Sequence, residues 1–328
     1  MRHVPTLSFR WPLFAAALLL ALLLGVAIGT IALPPAEVWH ALMGRGDATQ
    51  LTVVRELRLP RAILAALVGA GLGMSGAALQ GTMRNPLAEP YLLGVSGGAA
   101  VGAVVAVALG VGVTLLPIAA FLGAIVAVVV AFFVAHAAGT RGDPRILLMA
   151  GVVVGAFANA AIMLVLGSAP SNIVRDAMWW MMGSVAAATW SQVAWLLVYL
   201  VLGGGALLAW ARQMDVLALG EETAAGLGVH PERAARRVYA AASLLAAATV
   251  AAAGLVGFVG LVVPHIVRGT GIRRHRPLLV GSALIGATLV VLADLAARVL
   301  RPPAELPLGA VTAIVGVPFF LLRLRRLT

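Results

Sequence analysis

Residues 238–267 read VYAAASLLAAATVAAAGLVGFVGLVVPHIV, thirty positions in which His265 is the one group that titrates near neutral pH. A single helix of that length, at 1.5 Å per residue, would run about 45 Å against a hydrocarbon core of about 30 Å. Gly254, Gly257, Gly260 and Pro264 offer places to break it, so the stretch predicts one full membrane span followed by a shorter one. Comparable apolar runs lie on either side, at 13–32, 63–79, 92–109, 115–138, 146–166, 193–211, 278–297 and 306–322. With the two pieces of the central stretch these make ten. The expectation is an all-α polytopic membrane protein of about ten transmembrane helices, folded as a single domain over residues 1–328.

Composition agrees: of 328 residues 62% are hydrophobic and 11% charged, which excludes an ordinary soluble globule. All 23 basic side chains are arginine, so P-loop, Schiff-base and general-base lysines are excluded. The absence of cysteine removes thiolate chemistry, disulfides and cysteine-ligated metals. A net charge of +11 would suggest nucleic acid in a soluble protein; here it reads as basic loops that fix membrane orientation, with no nucleic-acid partner. Ten spans put both termini on one side. That side then carries sixteen of the 23 arginines and the other side seven, which predicts cytoplasmic termini.

Four segments carry more than hydropathy. RNPLAEPYLLGVSGGAAVG (84–102) follows the second span; Pro86 and Pro90 bar a continuous helix, and Ser96, Gly97 and Gly98 are expected to interrupt the start of the next. It is either a turn between helices or a pathway-lining element. RQMDVLALGEETAAGLGVHPERAARR (212–237) is the longest internal polar stretch, suited to one or two short helices on the membrane face: a solvated connector, or a docking surface for a cytoplasmic partner. On the opposite side Arg55, Arg58 and Arg61 cluster at the mouth of the second span, and Arg298 and Arg301 close the ninth. Snorkelling or an acidic partner would compensate them. Asp294 lies four residues before Arg298, spaced for an ion pair on one helix. No GxSxG, HExxH or paired-carboxylate site is visible, and the histidines lack metal-ligand spacing. His265 reads as a hydrogen-bonded interface residue, and Trp179, Trp180, Trp190 and Trp195 as interfacial aromatics.

Taken together, RLPR (58–61), SGAALQGTMRNPLAEPYLLGVSGGA (from Ser75), LLMAGV (from Leu147), WWMMGS (from Trp179), LALGEETAAGLGV (from Leu217), GFVGLVVPHIVR (from Gly257), LADLAAR (from Leu292) and AELPLGAVTAIVGVP (from Ala304) resemble the FecCD-type permeases. That family comprises vitamin B12, haem and ferric-siderophore importers of the type II ATP-binding-cassette class. The resemblance implies a type II importer permease, with no catalytic residue and no cofactor of its own. It implies a second permease subunit (a homodimer), two cytoplasmic P-loop ATPases that hold ATP and magnesium, and a periplasmic or lipid-anchored binding protein, all at the bacterial inner membrane. It assigns Arg58, Arg61 and Arg298 to binding-protein docking. Leu219, Gly220, Glu221, Gly226 and Gly228 fall in the ATPase-coupling segment, while Asn85, Pro86 and Leu87 match an inner gate and Gly142, Asp143 and Pro144 the place of a second. The cargo expected is an iron chelate, haem or ferric siderophore; cobalamin is the alternative. An ion-coupled secondary transporter, with Asp294 as its one buried carboxylate, is the reading from another class.

Overall fold

The computed structural model describes residues 10–137 and 144–324. Among the described residues there are sixteen α-helices and no strand. The first five are α1 (Arg10–Ala27), α2 (Pro35–Leu42), α3 (Ala48–Leu51), α4 (Leu59–Thr82) and α5 (Val95–Ala108). Then come α6 (Leu116–Ala137), α7 (Pro144–Gly167), α8 (Ser171–Met181), α9 (Trp190–Tyr199), α10 (Gly205–Ala209) and α11 (Ala211–Leu217). The last are α12 (Glu221–Gly226), α13 (Pro231–Ala253), α14 (Val259–Gly269), α15 (His275–Val299) and α16 (Leu308–Leu324). Each of the ten apolar runs coincides with helix, the run at 193–211 as α9 and α10 joined by a π-helical turn at Leu200–Gly204. Six helical stretches among the described residues are long and apolar enough to cross a membrane unaided. The apolar helices α5, α14 and α16 are shorter.

α4 is the axis of the molecule. It is almost wholly buried, because small residues recur along it and neighbouring backbones come in close. Gly69 and Gly286 of α15 touch backbone to backbone, and Gly76 lies against the Gly260 peptide of α14; a Cβ at Gly69, Gly286 or Gly76 would overlap the facing peptide. Pro60 stands in the first turn of α4 and has no N–H to give; the π-helical turn Thr52–Arg58 directly before it widens the helix there. The helical run therefore extends back to Ala48, well before the apolar stretch that first marked it.

The central stretch divides as expected, at a place that proline does not choose. α13 stops at Ala253, Gly254 takes φ +68°, and α14 starts after Phe258, whose φ is +66°. Pro264 lies inside α14. The amide it lacks would have bonded Gly260 O, and that carbonyl instead accepts from the buried Gln80 Nε2 of α4 at 3.3 Å. Ser96, Gly97 and Gly98 likewise do not interrupt a helix: α5 begins at Val95, one residue after Gly94 at φ +82°, and Gly98 lets α6 approach at Gly123 and Ala127.

Candidate functional site

Irregular backbone inside an apolar bundle needs partners for its peptide groups. The break at 254–258 finds them in the loop after α4. The Tyr91 hydroxyl accepts from Val256 N–H and donates to Val256 O, both at 3.0 Å, and Glu89 Oε1 accepts from Phe258 N–H at 3.2 Å. Nearby, Ser184 N–H donates to Ala253 O at 2.8 Å, and the amides of Leu308 and Gly309 bond the carbonyls of Gly183 and Met182. The loop at 84–94, the break, the turn at 182–184 and the start of α16 therefore form one junction of loops and helix ends. Asn85, Pro86 and Leu87 lie at its end next to α4: Asn85 Oδ1 accepts from Leu87 N–H at 2.9 Å, fixing the turn, and the Leu87 side chain is exposed. Gly142 and Asp143 lie outside the described residues, and of Pro144 only its place as the first residue of α7 is described. His265 donates from Nδ1 to Leu261 O at 3.0 Å and meets the Phe320 ring edge to face.

At the end of α4 where the chain enters it, the three expected docking arginines lie inside the protein. Arg58, Arg61 and Arg298 are 5%, 8% and 4% exposed. Arg61 reaches Asp294 through Nη2 at 2.8 Å and Nε at 3.1 Å, and Glu305 through Nη1 and Nη2 at 2.8 and 2.9 Å. Arg298 lies 3.3 Å from Asp294, the ion pair its spacing foretold, and donates to Gly25 O and Ile28 O. Arg58 donates to the carbonyls of Val26, Ala27 and Ile31, satisfying acceptors left at the end of α1. The compensation for these charges is intramolecular, and Glu305, which no spacing rule pointed to, belongs to it. Its carboxyl is held below the ordinary value of 4.5, chiefly by the hydrogen bonds from Arg61. Arg45, Arg55, Arg175 and Arg301 are the exposed arginines of that end. Trp190 anchors there too, donating from Nε1 to Arg55 O at 3.2 Å.

The opposite end of the 24-residue α4, about 35 Å away at 1.5 Å per residue, carries the polar stretch. It forms two short helices, α11 and α12, joined through Gly220 at φ +110° and closed by Gly228 at φ +78°. Leu219 and Leu227 are 64% and 61% exposed on either side of α12, whose first turn presents the exposed Glu221 and Glu222. Gly226 has open space around it. Arg84 at the end of α4 lies 3.6 Å from Glu221. Short helices with projecting apolar and acidic side chains, tied to a central span, can receive a partner and pass displacement inward.

A bundle of apolar helices, six of them long enough to cross a membrane among the described residues, with broken spans between them, is the architecture of a multi-pass membrane protein. The chain belongs to the FecCD transport family, which it matches over residues 17–326. It is an ABC transporter permease subunit and is not itself catalytic. Among relatives, it is 44% identical over 278 residues to the cobalamin import system permease protein BtuC of Halobacterium salinarum (84% of this chain, 74% of that one). It is 39% identical over 324 residues to the vitamin B12 import system permease protein BtuC of Escherichia coli O127:H6 (96% and 94%). A solved structure, an inward-facing conformation of a transporter assigned to the metal-chelate type of ABC transporter, superposes with a TM-score of 0.84 at 29% identity, covering 95% of this chain and 97% of that one. The fold is that of a type II ABC importer permease.

Proposed function

We propose that this chain carries a corrinoid across the bacterial inner membrane by alternating access, driven by ATP that a partner hydrolyses. The observation that carries the reading is the likeness to two permeases named for cobalamin or vitamin B12 import, over 84% of this chain in one and 96% in the other. It moves the weight from the iron chelate expected first to the cobalamin alternative. Two ATPase subunits engage Glu221 and Gly226 of α12 with the flanking Leu219, Gly220 and Gly228, and themselves hold ATP and magnesium. The termini lie on that cytoplasmic side, in line with the arginine bias. A second copy of the chain completes the pathway, and the exposed apolar faces of α7 and α16, at Met149, Phe157 and Ile314, are the surfaces available to it or to lipid. Asn85, Pro86 and Leu87, with Gly142, Asp143 and Pro144, gate the inner mouth. Movement of one packed subunit against the other opens one side at a time.

An acidic binding protein docks at the opposite end over Arg58, Arg61 and Arg298. Because all three are buried, its carboxylate reaches them by displacing Glu305, the partly exposed member of the cluster, with Arg55 and Arg301 flanking the approach. The test is reconstitution of the chain with its co-encoded ATPase and binding protein in proteoliposomes. ATP-dependent uptake of cyanocobalamin, with no uptake of haem or a ferric siderophore, is expected. Uptake of a ferric chelate alone would restore the iron reading, and uptake driven by an ion gradient without ATP would refute the importer reading.

A further inference from the structure

We propose that Asp215 and His275 are the joint through which the α11–α12 segment moves the membrane bundle, an inference that rests on the importer reading above. Asp215 is on α11, and its Oδ1 accepts twice from the first residue of α15: from the backbone N–H of His275 at 2.9 Å and from ring Nδ1 at 2.7 Å. One carboxylate oxygen thus satisfies an amide left open at the start of a 25-residue helix and fixes the ring beside it. The ring cannot retreat, because Nε2 lies directly against Gly81 of α4, where a Cβ would overlap it. Next to Gly81, the Gln80 amide binds three groups: its Oε1 accepts from Arg268 Nη1 at 2.5 Å, and its Nε2 donates to Gly260 O and Leu261 O. Both carbonyls are on α14, which begins at the 254–258 break held by Glu89 and Tyr91. From α11 the chain of contacts therefore runs unbroken through α15 and α4 to α14 and the junction.

The other polar link from this segment, Arg84 to Glu221, is 3.6 Å long between two exposed side chains and transmits little. Gly220, Gly226 and Gly228 make the two ends of α12 compliant. His275 is buried and wedged, so displacement of α12 by an ATPase reaches α15 and α4 at this joint. Asp215 and His275 are positioning residues; neither touches cargo or nucleotide.

The chain has no cysteine, so R212C and R276C, at exposed positions flanking the joint, carry the only two thiol-directed spin labels this chain can take. Wild type and Asp215→Asn, which keeps the accepting oxygen, give one narrow distance distribution; Asp215→Ala gives a distribution about twice as broad. In the reconstituted complex Asp215→Ala hydrolyses ATP within about twofold of wild type, but cyanocobalamin moved per ATP falls about tenfold, and Asp215→Asn restores it. An Asp215→Ala chain with wild-type distance width and wild-type uptake per ATP overturns the joint, as does an equal fall of hydrolysis and uptake with unchanged width. Failure of the importer reading shows separately, as a wild-type complex without ATP-driven uptake. The label widths of the purified chain then still decide: broadening in Asp215→Ala supports the joint, and equal widths sink it.

Discussion

Replacing Arg61 by methionine removes the centre of the five-charge cluster while keeping an apolar stem of similar reach. Asp294, 2% exposed, would keep only Arg298, whose Nε stands 3.3 Å away without a well-aligned hydrogen bond. Breaking a buried pair by deleting one partner costs about 3–5 kcal/mol, because the surviving charge stays buried and uncompensated. The second arm contributes less: the Glu305 side chain is 34% exposed, so losing that bond belongs nearer the zero to about 1 kcal/mol of a solvent-screened pair. The expected loss for Arg61→Met is thus set by Asp294, at about 3–5 kcal/mol, read as a shift in equilibrium unfolding of the purified chain in mixed micelles. The double variant Arg61→Met/Asp294→Leu removes the stranded charge and recovers a large part of that loss. Arg301→Met, at an exposed position of the same end, stays within about 0.5 kcal/mol of wild type. An Arg61→Met chain that unfolds with the wild type would refute the account, since the guanidinium would then not be committed to Asp294 and Glu305.

Other outcomes follow from the same contacts. Tyr91→Phe strips the donor and the acceptor that hold Val256, and the same titration should register a loss of about 1–3 kcal/mol; no loss would mean the break is satisfied in another way. Gly76→Ala forces a methyl into the Gly260 peptide and lowers the yield of monodisperse protein, with a cost of about 1–3 kcal/mol or more, whereas Gly226→Ala, facing open space, is neutral or gains up to about 1 kcal/mol. Acidification acts through Glu305. Its folded pKa lies below the ordinary 4.5, so its stabilisation is complete above that value and is lost as pH falls through the lower folded one. An unfolding series from pH 6 down to about pH 3 should therefore be steeper for wild type than for Glu305→Gln.

How far the sequence reached depends on the range of the interaction concerned. Ten apolar runs became helices because the bilayer constraint acts on about twenty consecutive residues, and Asp294 with Arg298 was readable because both sit on one helix face. The break was readable as a choice among Gly254, Gly257, Gly260 and Pro264, and it fell at the first two; what the sequence did not show was which of the four would serve. Pro264 had the local reason to end a helix, but Gln80, 184 positions earlier, supplies the donor its carbonyl partner lacks, and the irregular turn moved to a place where Tyr91 and Glu89 bind the exposed peptides. The short helices α2, α3 and α8 carry too few residues to register in a hydropathy window, whereas α11 and α12 answer to the short helices expected of the polar stretch at 212–237.

The arginines follow the same logic. Spacing placed Arg58, Arg61 and Arg298 at one end of the bundle and required something to neutralise them, but it carried no information on whether the counter-charge was in this chain or in another. Arg61 meets Glu305 across 244 positions, and Arg58 meets a helix end 32 positions back. Both contacts exist only once α1, α4 and α15 are packed. A buried charge without its partner costs several kcal/mol, so a fold that hides three arginines must carry compensation of its own before any binding protein arrives. In the docking proposed above, a partner's carboxylate would therefore gain only the difference between itself and Glu305. Such an exchange would leave the protein's net burial of charge almost unchanged, and would suit a contact that forms and releases in each proposed transport cycle better than a bare cluster of arginines.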